Sequence, residues 1–180
     1  MSDDMLTEQQ HNFILSEVSQ PVITIAREVN FAARYASMLA RFPKLPGDFN
    51  PKVPTERQQE LVAQFPYPIR FFKSEGGYYM LNEKKFAYPH MTLMMEMRQW
   101  VTFRFNLWRE DKRIGGGSYQ QIAVAERLAR GEEIDWDNDW RTQHQPWCYN
   151  EDQLQTVLTE SFSLFDDLCK QLPEYSFDAG

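Results

Sequence analysis

Apolar residues recur at helical spacing through Val22, Ile25, Val29, Ala32, Ala36 and Leu39, with Arg27, Glu28, Arg34 and Arg41 to the sides. Residues 5–42 therefore read as helix. Ile14, Leu15 and Val18 form a shorter apolar face ahead of Ser19 and Pro21, which suit an N-cap and a first helical turn. The pattern predicts two helices, or one broken near Pro21. The stretch 43–54 carries four prolines and a glycine and reads as a surface loop. Thr55 followed by Gln58 has capping-box spacing and predicts a short helix over 56–65.

The period then changes. PIRFFKS and YYMLNEK are short and aromatic-rich, and Glu75-Gly76-Gly77 separates them, which predicts a β-hairpin. In the run from His90 to Trp108 two periods coincide. Met91, Leu93, Met95, Met97, Val101, Phe103, Phe105 and Leu107 alternate as in a strand. Leu93, Met94, Met97, Trp100, Val101, Arg104, Phe105 and Trp108 fit a helical stripe. Strands seldom exceed about ten residues and no turn residue interrupts the run, so the expectation is one long buried helix. A helix running into a strand is the alternative. Ser118 with Gln121 repeats the capping box, and IAVAERLAR continues as helix to Gly131. The segment EEIDWDNDWRTQHQPWCY lacks a period and reads as an aromatic loop. Asn150 with Gln153 caps a last amphipathic helix that stops at Pro173, leaving 174–180 as a loose tail. The expected fold is α+β: a mainly helical single domain over 1–180 with a small antiparallel hairpin or sheet.

Composition narrows the functional classes. With 42% apolar and 14% aromatic residues in 180, the chain supports a packed core and is not intrinsically disordered. It has no long uncharged apolar run, so no transmembrane helix is expected. The acidic start MSDDMLTEQQ is unlike a secretory signal, and a cytoplasmic location without membrane contact is expected. Cys148 and Cys169 are then expected as free thiols. The net charge of −7 disfavours direct DNA binding, which depends on Lys and Arg. It suits a protein partner with a basic surface and is compatible with homo-oligomerisation.

Two stretches are candidate sites. The first is Lys112, Arg113, Ile114, Gly115, Gly116, Gly117 and Ser118. A glycine-rich turn at a helix N-terminus presents backbone N–H groups to an anion. No lysine follows the glycines, so this is not a Walker A loop. Lys112-x-x-Gly115-x-Gly117 resembles the acyl-coenzyme-A loop of the GNAT acetyltransferases, which implies a phosphate-bearing ligand and a strand upstream. Lysine replaces the family's usual Gln or Arg at the first position. The competing expectation is a joint between two helices with Ser118 as cap.

The second is an acidic, tryptophan-rich loop with Asp135, Trp136, Asp137, Asp139, Trp140 and Trp147. Its acids resemble the start of a calcium loop, but Trp140 and Pro146 stand where that loop needs glycine and glutamate, so it is not an EF-hand. Tryptophan anchors interfaces well, which makes the loop a candidate partner-binding surface. His11, His90, His144 and Cys148 supply neither metal-site spacing nor a nucleophile–base pair. His90-Met91-Thr92 matches only one of the two H-x-[TS] motifs of the 2H phosphoesterases. No metal, cofactor or catalytic set is expected. The leading expectation is a small acidic protein that binds another macromolecule, as an inhibitor, an immunity or anti-defence protein, or an adaptor of bacterial or phage origin. An acyl-coenzyme-A-type enzyme and a structural subunit of an assembly are the alternatives.

Overall fold

Ser19 and Asn30 take positive φ values of 69 and 53, through which a right-handed helix does not continue. The N-terminal stretch is therefore three helices where two were expected: α1 (Asp3–Val18), α2 (Gln20–Glu28) and α3 (Phe31–Arg41). Pro21 sits in the first turn of α2 as expected, but the Ser19 side chain makes no capping bond. The computed structural model describes residues 3–46, 52–81, 91–109, 111–136 and 145–172, with backbone alone for 3–7 and 75. The tail 174–180 and part of the Pro-rich loop lie outside the described residues.

Helix α4 (Thr55–Val62) begins at Pro54 with no side-chain cap, so the Thr55–Gln58 pair is not a capping box. Gln58 is instead buried. Its amide donates to the Val53 carbonyl at 2.8 Å and accepts from the Tyr79 hydroxyl at 3.3 Å, which ties α4 to the sheet.

Five strands follow in an antiparallel meander ordered as in the chain: β1 (Ile69–Phe72), β2 (Tyr78–Leu81), β3 (Met91–Met97), β4 (Val101–Arg109) and β5 (Lys112–Ser118). The β1–β2 hairpin is the predicted one. Its turn uses Gly76 and Gly77 at φ 88 and 89, which only glycine adopts without strain.

The long helix expected over 90–108 is corrected by the structure. Residues 91–109 form the β3–β4 hairpin, in register from Met91 opposite Leu107 to Met97 opposite Val101. Alternation prevails over the helical stripe because it buries Met91, Leu93, Met95, Met97, Val101, Phe103, Phe105 and Leu107 on a single face. The turn Arg98-Gln99-Trp100 contains no Gly, Pro, Asn or Asp. It is held from outside, by Val101 N–H to the Pro146 carbonyl at 3.0 Å and Cys148 N–H to the Gln99 carbonyl at 2.9 Å.

Helices α5 (Tyr119–Ala129) and α6 (Glu151–Gln171) complete an α+β domain with six α-helices among the described residues. Both predicted caps form: Ser118 makes the full capping box with Gln121, and the Asn150 side chain accepts from Gln153 N–H. Tyr119 joins the layers. It stacks on Phe103 of β4 at 5.2 Å, meets Phe31 of α3 edge-on at 5.0 Å, and donates its hydroxyl to the Ser161 carbonyl of α6 at 2.9 Å. No described helix is long and apolar enough to cross a membrane.

Candidate functional site

The glycine run is neither a turn nor a joint between helices. Gly115, Gly116 and Gly117 are buried residues of β5, opposite Leu107, Asn106 and Phe105. A β-carbon on Gly115 would lie 1.9 Å from the Ser19 hydroxyl oxygen and 2.4 Å from the Val18 carbonyl oxygen. The α1–α2 junction thus rests directly on the strand and fills the space an anion would need at that point. Two amides at the start of α5 are also satisfied within the chain: Gln121 N–H by the Ser118 hydroxyl at 3.2 Å, and Ser118 N–H by the Gln121 side chain at 2.8 Å. Arg113 donates to Asn106 at 2.9 Å, to the Gly116 carbonyl at 3.0 Å and to Glu17 at 3.3 Å, while Lys112 stays exposed. The strand upstream that the GNAT resemblance implies is present as β4, but every strand pairing described is antiparallel.

The tryptophans of the second candidate part company. Asp137, Asp139 and Trp140 lie outside the described residues. Asp135 is exposed, and the half-buried Trp136 packs on the core with its ring 5.3 Å from His11 of α1. Trp147 belongs to another cluster. It bridges to Trp100 at the β3–β4 turn with ring centroids 5.1 Å apart, stacks on Tyr149, and carries Lys44 over its ring at 5.2 Å. Both half-buried tryptophans thus have ring contacts within the chain.

Cys148 and Cys169 are free and buried. Burial pushes the Cys148 thiol up to about 12 and raises Cys169 as well, so neither supplies a thiolate at neutral pH. Among the described residues no group of three His, Cys, Asp or Glu is placed to hold a metal ion. A cleft of ≈ 240 Å³ between α3 and α6 is lined by Arg34 and Arg41, but Asp167 and Glu160 already pair with them.

The feature that sequence reasoning missed is the outer face of the sheet. The described helices cover the inner face, where Phe103 meets Tyr119 and Phe105 meets Phe165. On the other face the register aligns one row across four strands: Arg70 opposite Met80, Met80 opposite Met94, Met94 opposite Arg104. Residues directly opposite in an antiparallel pair share a face. Met80 and Met94 are half-buried and both arginines are exposed. Phe72 and Tyr78, stacked at 5.0 Å, extend the apolar floor toward one end. Trp108, whose indole N–H donates to Thr92 at 3.1 Å, extends it toward the other.

No family model, curated protein or solved structure matches this chain.

The charge of the outer face is unlike that of the whole chain. On that face the strands carry Arg70, Arg104 and Arg113 against Glu96 as the one acid among the described residues, with Arg113 paired to Glu17. Acids concentrate on the helices, where many are neutralised: Glu151 by Arg57, Glu160 by Arg41, Asp167 by Arg34 and Lys170. Past α5, Glu132 pairs with Arg127 and Arg130. Arg70 and Arg104 have no hydrogen-bond or ion-pair partner among the described residues. The signal for this face was the second phase of the alternation in IRFF, YYML, MTLMMEM and VTFRF, which becomes legible only once the register is known.

Proposed function

We propose that the protein acts by binding another macromolecule, in the manner of an inhibitor, immunity protein or adaptor, and that the outer face of the sheet is its binding surface. One observation carries this reading. Two exposed guanidiniums without partners among the described residues flank two half-buried methionines in a row set by backbone register, on a sheet whose other face is packed. Methionine is adaptable and suits a surface that must fit another molecule. Exposed arginine beside apolar and aromatic side chains is the composition of an interface core. The buried, protonated thiols and the ion-paired cleft favour binding over catalysis. Acids on α6 are largely paired within the chain, whereas Arg70 and Arg104 have no partner among the described residues. The complementary partner surface is accordingly acidic, where net charge alone pointed to a basic one.

The test is recovery of partners from an extract of the source cells with the tagged full-length chain. Arg70→Glu with Arg104→Glu should lose the partner, and a charge reversal on the helical layer, Asp152→Lys, should keep it. Retention by both variants, with unchanged denaturation midpoints, would exclude the sheet face.

A further inference from the structure

We infer that the partner docks an amphipathic α-helix on this face, with an apolar stripe over Met80 and Met94 and an acidic margin on each side. The inference rests on the sheet face being the interface and adds the shape and charge of its occupant.

Arg70 on β1 and Arg104 on β4 are three strand steps apart, which at roughly 4.8 Å per step places their backbones about 14 Å apart. A helix with its side chains is about 10–12 Å across. One helix lying along the strands therefore covers both methionines and brings its two flanks over the two guanidiniums. Thr102, Arg104, Asn106 and Trp108 share the outer face of β4, and at about 3.4 Å per residue they span about 20 Å. That length matches roughly 13 residues of helix, from the Phe72–Tyr78 stack to the Trp108 ring.

The acidic sign follows from Arg70 and Arg104, exposed and without a partner among the described residues, because burying them beneath an apolar or basic helix would leave charge without a partner. The overall −7 does not reverse this. At physiological salt the Debye length is about 8 Å, and the acidic helices lie behind a layer about 10 Å thick. Single-stranded nucleic acid fits less well. Phe72 and Tyr78 already stack on each other with planes 9° apart, which occupies ring faces that bases would use.

Two helix-stabilised peptides of about 14 residues, with the same leucine stripe and either glutamate or lysine flanks, provide the test. Each is titrated into the full-length protein labelled at methionine methyls, alongside a single-stranded oligonucleotide of about ten nucleotides. The glutamate peptide should shift the Met80 and Met94 methyls saturably and bind at least about tenfold tighter than the lysine peptide, with affinity falling as salt rises. Arg70→Glu with Arg104→Glu should invert the preference, so that the lysine peptide binds better. An unfolded variant cannot gain binding, so the inversion separates charge recognition from damage to the fold. Equal affinity for both peptides, no shift at Met80 and Met94, or displacement of the glutamate peptide by the oligonucleotide would overturn the inference. If those results appear while the double variant still loses its partner from the extract, the sheet-face reading stands and only the acidic helix fails.

Discussion

Gly115 lies under Ser19 at a distance that no other residue permits: a β-carbon there would sit 1.9 Å from the Ser19 hydroxyl oxygen. The contact seats the α1–α2 junction on the edge strand of the sheet. Gly115→Ala should force that junction outward and cost about 3 kcal/mol, the upper end of ordinary overpacking penalties. Urea denaturation of the variant checks this. A midpoint unchanged from the parent would mean that the junction does not rest on β5.

Glu126 of α5 is fully buried and accepts the Ala32 N–H near the start of α3 at 2.7 Å, with Arg130 at 3.2 Å. Burial raises its pKa above the ordinary carboxylate value, and the Ala32 bond and Arg130 oppose the rise only in part. A carboxyl raised on folding contributes stability that is full below its unfolded pKa and lost as pH rises through its folded pKa. The stability difference between the parent and Glu126→Gln should therefore move in the parent's favour as pH falls from about 7 to about 4.5. Glu126→Ala, which leaves the Ala32 N–H without its acceptor, should cost about 1–3 kcal/mol at either pH. Denaturation midpoints at the two pH values decide both, and a pH-independent gap for the glutamine variant would refute the raised pKa.

The Ser118 hydroxyl accepts Gln121 N–H at 3.2 Å in a reciprocal capping box. Ser118→Ala should destabilise by about 1 kcal/mol, and Ser118→Asp should recover most of the loss. A shift in midpoint smaller than about 0.3 kcal/mol for the alanine variant would leave the cap without a role.

What could be read from sequence was what local chemistry decides. The Ser118 and Asn150 caps, the Gly76–Gly77 turn and the position of Pro21 each depend on residues within one turn, and each formed as expected. Elements decided by distant contacts were not legible. The β3–β4 turn is completed by Pro146 and Cys148, which no local pattern connects to Gln99 and Val101. The glycines of β5 resemble a loop until Ser19 is known to lie against them. Gln58 turned from a capping partner into a buried link to Val53 and Tyr79. The candidate surface was hidden for the same reason. Arg70, Met80, Met94 and Arg104 belong to four separate strands, and only the register places them in one row. Trp136 and Trp147, conspicuous in sequence as interface anchors, make ring contacts with His11 and Trp100 that no local pattern announces.

The central claim, that the outer face of the sheet is where this protein meets its partner, is tested most directly by photo-crosslinking from that face. A photoreactive amino acid replaces Met94 in one preparation and Thr159, exposed on α6, in another. Both are irradiated in source-cell extract with and without excess unlabelled protein. The account predicts a dominant adduct from position 94 that the unlabelled protein competes away, and none from position 159. The same adduct from position 159, or no competed adduct from position 94, would contradict it.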